Sequence, residues 1–180
     1  KLPVLTENVA ELPSNSGVTL QDKITILGFL GNNLGERSGN AFNLNQKIYK
    51  RFHEFTDFQM VMVVPEGSQE KVNELKKGLG KLSSIAKWRF VYASESELQS
   101  LFSSLHTNIT LDDSLGCSEV FIVDKNRNLR GRDDDEDEGV KYGFDTTSVA
   151  ELNNKMEDDV KIILAEYRLA LKKNNANRSK

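Results

Sequence analysis

Two apolar runs constrain this chain more than anything else in it. Residues 24–30 read ITILGFL and residues 58–65 read FQMVMVVP. Each is apolar at successive positions, so as a strand it presents apolar side chains to both faces, which only the interior of a sheet covered on both sides satisfies. Between the two runs, from about Ala41, the apolar residues take up a helical rhythm. Leu44, Ile48, Phe52 and Phe55 fall at i, i+4, i+8 and i+11, the buried stripe of a helix expected over residues 39–55. A buried strand, a helix and a second buried strand form a crossover unit, and parallel pairing of its strands is the natural outcome.

The pattern continues downstream. A lysine-rich helix is expected from Ser68 to about Ile85, weakened near its end by Gly78 and Gly80. WRFVYAS at 88–94 alternates Trp88, Phe90 and Tyr92 and reads as a third strand. Ser94 with Glu97 makes a capping box that opens a helix through Leu105. EVFIVD at 119–124 is a fourth strand, and KNRN turns it back into residues 129–132 as a hairpin. Ser148 with Glu151 starts the last helix by the same capping logic, with Val149, Leu152, Met156, Val160, Ile163, Tyr167 and Leu171 as its core stripe. Residues 1–22 read as an irregular lead-in with a short strand at 3–5, residues 23–173 as one domain, and residues 174–180 as a basic, frayed tail. The order β-α-β-α-β-α-β-β-α describes an α/β fold: a mixed sheet with helices on both faces and a C-terminal β-hairpin plus helix. That is the order of a thioredoxin-like fold with one inserted βα unit. A flavodoxin-like sheet would need crossover helices where this chain has a short hairpin.

Composition removes several classes. The 180 residues are enough to bury a core without disulfides or metals. A net charge of −3 supplies no global basic field for nucleic acid or anionic lipid. The single cysteine, Cys117, excludes an intramolecular disulfide and leaves the redox compartment open. No apolar run approaches the ~18–20 residues of a membrane helix. The chain begins at Lys1 and is read as a processed product, its signal, anchor or N-terminal membrane helix removed.

In DKITILGFL, FQMVMVVPEG and above all EVFIVDKNRNLRG, the chain resembles the Sco/SenC family, the membrane-anchored, thioredoxin-fold copper proteins of respiratory-oxidase assembly. The last stretch looks like the family's pattern of hydrophobic strand, Asp, turn and exit strand, and in element order the similarity runs roughly from residue 18 to 172. The resemblance implies an extracytoplasmic, membrane-anchored protein. It also implies a Cys-x-x-x-Cys pair at the turn after the first strand and a His just before the hairpin strand. Together these bind copper, and the cysteine pair cycles between dithiol and disulfide. This chain departs at all three positions: the turn reads Gly31-Asn32-Asn33-Leu34-Gly35-Glu36-Arg37-Ser38, and the His position falls at or beside Gly116.

Without a thiol, the turn residues Gly31, Asn32, Asn33, Gly35, Arg37 and Ser38 read as a vestigial site. Helix-end N–H groups beside Arg37, Ser38 and Asn40 suit a carboxylate or phosphate; the plain reading is a solvated loop capped by Ser38 or Asn40. Cys117 lies on the segment that faces the active-site turn in thioredoxin-like folds. It is a candidate reactive or metal-ligating thiol, or it packs, as most free cysteines do. His53 reads as a surface residue of the first helix and His106 as a cation at a helix C-terminus; with Asp112, Asp113 and Cys117, His106 matches no metal-ligand spacing. The six acids Asp133, Asp134, Asp135, Glu136, Asp137 and Glu138 read as a solvated loop or as a docking surface for a basic partner. As a calcium loop the run fails, with Glu138 where Gly is needed and Phe144 where a bidentate Glu belongs. LGERSGNA does not match GxGxxG, and GxSxG is absent.

The expectation is a non-catalytic thioredoxin-like domain, not an enzyme and without cofactor, acting as a binding or assembly module in the cell envelope. Its partner would be another protein, with no nucleic acid, and with membrane contact only through the removed N-terminal segment. The competing expectation is a Sco-like copper-binding or thiol-redox protein working through Cys117 and a partner. A third is a docking protein that binds through its acidic loop.

Overall fold

The computed structural model describes residues 1–179. Named in chain order, its strands are β1 (Val4–Thr6), β2 (Ile24–Leu30), β3 (Phe58–Pro65), β4 (Trp88–Ala93), β5 (Gly116–Val123), β6 (Leu129–Arg130), β7 (Arg132–Asp135), β8 (Gly139–Lys141) and β9 (Phe144–Asp145). Helix α1 (Leu34–Leu44) continues through a π-helical turn (Asn45–Tyr49) into a last turn (Lys50–Phe52). Helices α2 (Gln69–Gly80) and α3 (Glu95–Ser103) follow, and α4 (Glu157–Arg178) is led in by Val149–Glu151 and a second π-turn (Leu152–Met156).

The main sheet runs β1-β6-β5-β2-β3-β4, with β9 pairing to β5, while β7 and β8 pair separately. The two apolar runs lie side by side and parallel, from Ile24 opposite Phe58 to Phe29 opposite Val63. β5 runs antiparallel to β2 on its other side. Every residue of β2 is buried, and alternate side chains serve two cores. Ile24, Ile26, Met60, Met62, Val120 and Ile122 pack beneath α1, α2 and α4, which contribute Leu44, Val72, Leu79, Val160 and Ile163. Leu27, Phe29, Val61, Val63 and Phe121 pack beneath α3 and the N-terminal segment, which contribute Leu98, Leu101, Val9, Leu12 and Leu20. Each such side chain contributes about 1.5–3 kcal/mol by leaving water.

The expected mixed sheet with helices on both faces is therefore present, and Ser94 and Glu97 form the expected capping box. Some boundaries move. α1 begins at Leu34, ahead of the expected start, because Leu34 is itself a core residue. α2 ends at Gly80 rather than near Ile85. The lead-in is built into the fold: β1 joins the sheet beside β6, and Val9, Leu12 and Leu20 enter the second core. At the other terminus α4 continues as helix through Arg178, where a frayed tail was expected; Lys180 lies outside the described residues. Val149 and Leu171, assigned to the core stripe, are exposed. Among the described residues, no helix is long and apolar enough to cross a membrane.

Candidate functional site

β2 ends at Leu30, and only Gly31, Asn32 and Asn33 separate it from α1. Gly31 has a left-handed backbone (φ 72°), and a Cβ there would lie 2.4 Å from the Ser114 hydroxyl oxygen, so the position requires glycine. The Asn32 N–H donates to the Ser114 carbonyl (2.8 Å), tying the turn to the segment that leads into β5. Asn33 is the N-cap but makes no side-chain capping bond. Ser38, expected as a cap, lies inside the helix and donates to the Gly35 carbonyl (3.0 Å).

Arg37 organises this turn. Its side chain is 15% exposed. Nη1 donates to the Leu30 carbonyl (3.4 Å) and the Ser114 hydroxyl (3.1 Å), and Nη2 donates to the Asp112 carboxylate (2.5 Å). The other Asp112 oxygen accepts from the Ser114 N–H (2.9 Å), the Ser114 hydroxyl (2.6 Å) and the Gly116 N–H (3.2 Å). Burial alone would raise this carboxyl, but the hydrogen bonds from Ser114, Arg37 and Gly116 together hold it well below the usual carboxylate range. Leu115 takes a left-handed backbone (φ 66°), a strained state for a residue with a branched side chain. At Gly116 a Cβ would meet Arg37 Nη1 at 2.6 Å and the Gly31 nitrogen at 2.7 Å, so no side chain enters there without displacing both.

Sequence reasoning found Arg37 but missed Asp112 and Ser114 as its partners. The available signal was Asp-Asp-Ser at 112–114, a composition that favours side-chain-to-backbone turns. The groups gathered here do not fit a copper(I) ion, which favours thiolate and thioether ligands. They are main-chain N–H groups, the Arg37 guanidinium and the hard oxygens of Asp112 and Ser114, and the resident cation is Arg37. Beside the turn, a groove of 320 Å³ between α1 and α2 is lined by Asn33, Leu34, Ser38, Phe42, Lys71 and Leu75, and the Lys71 ammonium donates to the Asn32 carbonyl (3.1 Å).

Cys117 follows Gly116 directly but belongs to the second core with Phe121 and Val123. It is 8% exposed. Burial, reinforced by the Glu119 charge, pushes its thiol up to about 12, so at neutral pH the sulfur carries its proton. Its S–H donates to the Glu119 carbonyl (3.5 Å). Among the described residues, no three His, Cys, Asp or Glu side chains gather as a metal-holding group. His53 stacks on Tyr49, ring centroids 5.1 Å apart.

The acidic run lies on a folded hairpin, with five of its six acids exposed and Asp135 buried. β7 pairs antiparallel with β8, Arg132 opposite Lys141 and Asp135 opposite Gly139. Asp135 is buried, accepting from the N–H groups of Asp137 and Glu138 (3.1 Å each) and from the Lys155 ammonium (3.1 Å), which also reaches Asp137 (2.7 Å). The Arg132 guanidinium forks onto Asp159 (2.8 and 2.9 Å). Lys141, fully buried, sits between Glu138 (2.8 Å) and Glu151 (2.6 Å). Counter-cations within the hairpin and at the start of the last helix thus pair with half of the run. Asp135 alone of the six is buried; Asp133, Asp134, Glu136, Asp137 and Glu138 are exposed.

No family model matches the chain, and no curated protein matches it. Solved structures do. A thiol:disulfide interchange protein of the thioredoxin family from Chlorobium tepidum TLS is 16% identical, with a TM-score of 0.54, over 91% of this chain and 99% of that one. BsSco, a member of the Sco family of cytochrome c oxidase assembly proteins, matches at 13% identity and a TM-score of 0.54, over 89% of this chain and 92% of that one. The soluble domain of a Sco protein from Bacillus subtilis matches at 16% identity and a TM-score of 0.52, over 89% and 94% of the two chains. At these identities the likeness is one of architecture: this chain has a thioredoxin-like fold.

Proposed function

We propose that this chain is a divergent Sco/SenC-like protein that has given up copper and thiol chemistry and serves as a non-catalytic binding or assembly module, acting on another protein outside the cytoplasm. The observation that carries the reading is Arg37. A guanidinium held by Leu30, Ser114 and Asp112 occupies the turn where the family pattern would gather soft ligands. Cys117 supports it, since the chain has no second thiol for an intramolecular exchange and the one it has is buried and protonated. The likeness to Sco and thiol:disulfide interchange structures supports the scaffold, and the extracytoplasmic placement follows from the resemblance.

The test is a paired titration of the reduced protein: copper(I) affinity by chelator competition, and the alkylation rate of Cys117 against pH. The expected result is no copper retention, with alkylation of the folded chain at least ~tenfold slower than of the unfolded chain near the ordinary thiol pKa of about 8.5. Tight copper uptake that disappears in Cys117→Ser would overturn the reading and restore a Sco-like role through Cys117 and a partner.

A further inference from the structure

The main sheet has two outer edges, and they are built differently. β1 is three residues long, follows Pro3, and slips register between Val4 and Thr6 against β6. Short, irregular, proline-flanked edges of this kind resist pairing with another chain. β4 lacks these features. It holds an unbroken parallel register from Met60 opposite Trp88 to Pro65 opposite Ala93, with no proline, no bulge and a single charged residue, Arg89.

The main chain of β4 aims its free groups outward. The carbonyls of Lys87 and Ala93 accept from Met60 and Glu66, so those positions face inward. Alternation along the strand then turns the N–H and C=O of Phe90 and Tyr92 to the outer edge. Among the described residues, no strand pairs with that edge. The side chains on one face of it are aromatic: Phe90 stacks on Trp88 (6.1 Å) and carries the Lys76 ammonium over its ring (5.4 Å), and Phe90 and Tyr92 are half-buried.

We propose that this edge is a self-association surface, at which a second copy of the chain adds its own β4 antiparallel across a two-fold axis normal to the sheet. Such an axis keeps each face of the sheet continuous, so opposed residues must come from the same face. With the axis at Val91, Phe90 lies opposite Tyr92 of the second copy. The residues whose main-chain groups are free then bond to each other, and aromatic faces aromatic. Arg89 falls opposite Ala93, not opposite its own like charge. Two residues beyond Ala93, just past the end of the strand, comes Glu95 of the second copy, exposed at the first position of α3. Neither Arg89 nor Glu95 is ion-paired among the described residues of its own chain. Positive at the start of β4 and negative just past its end, the edge is complementary to itself when two copies meet antiparallel, and this self-complementarity favours a second copy as the partner. The proposal uses none of the residues of the Arg37 turn, so it stands or falls separately from the functional reading.

Sedimentation equilibrium on the full chain across roughly 1–300 μM tests it, since a contact this small implies micromolar dimerisation. The expected result is a monomer–dimer equilibrium that Arg89→Glu weakens roughly tenfold and Glu95→Arg weakens similarly, by turning two symmetry-related attractions into repulsions. The R89E/E95R double variant then restores association to within roughly threefold of the starting chain, which a folding defect would not do. A monomer throughout the range would overturn the proposal and leave the edge to an extended segment of another protein. Association untouched by both single changes, or weakened by both and not restored by the pair, would equally overturn it.

Discussion

The two ends of the central sheet are closed by the same chemistry under different conditions. Where β2 leaves the sheet, Arg37 meets Asp112. Where β5 leaves it at the opposite end, Arg130 meets Asp124 (3.1 Å), donates to both oxygens of Glu166 on α4, and gives two further bonds to the Leu2 carbonyl. The Asp112 side chain is 49% exposed, whereas those of Arg130 and Asp124 are 3% and 2% exposed. An exposed ion pair contributes only about 0–1 kcal/mol. A buried one is no strong source of stability in itself, but removing one partner strands the other charge out of water. Arg130 therefore fastens the N-terminal strand, the hairpin and the last helix into one body, while Arg37 shapes a turn that can change without unfolding the chain. The end that resembles a site is the tolerant end.

That contrast is open to measurement. Arg130→Met should lower stability by about 3–5 kcal/mol in chemical denaturation, because Asp124 is left buried without its partner; a loss near that of an exposed pair would break the comparison. Asp135→Asn, which removes the charge facing Lys155 in the hairpin, should cost about 1–3 kcal/mol. Neutralising Asp133, Asp134 or Glu136 should each stay within about 0.5 kcal/mol, which separates the buried, lysine-paired Asp135 from acids of the run that are unpaired among the described residues. Arg37→Met should cost about 1 kcal/mol or less, with the fold intact by circular dichroism.

The smallest effect sharpens the comparison by its sign. Asp112 is held below its ordinary range in the folded chain, so as pH falls the unfolded chain takes up this proton first. The stability that the Asp112 charge contributes is therefore full above the ordinary carboxylate range and lost as pH falls below it. The gap in thermal unfolding between the starting chain and Asp112→Asn should shrink below roughly pH 4. A gap that widened in acid would mean the carboxylate is not stabilised by Arg37 and its neighbours.

What could be seen in the sequence follows from how local each rule is. The buried strands β2 and β3 and the Ser94–Glu97 box are written in adjacent residues, and the structure contains them. The start of α1 is not local. Gly35 and Gly39 argue for a loop, and Asn33 caps without its side chain, yet Leu34 is drawn into the core and Arg37 is held by Asp112 from far along the chain. The hairpin in RDDDEDEGVK was hidden for a similar reason. Neighbouring like charges argue against strands until Lys155 and Lys141 supply the opposing ones. The placement of Cys117 is not local either: β5 begins at Gly116, its register against β2 slips between Gly116 and Val120, and Cys117 lies in the core of Phe121 and Val123.

The close approach of Gly31 and Gly116 also governs how this turn can change by mutation. An imidazole at position 116 would need the Gly31 main chain to withdraw and Arg37 to leave. Removing Arg37 first strips Asp112 of its guanidinium partner, and a thiol added to the turn alone finds no companion ligand. A side chain at position 116 and the loss of Arg37 therefore have to come together, so no single replacement converts this turn into a metal-binding version of itself.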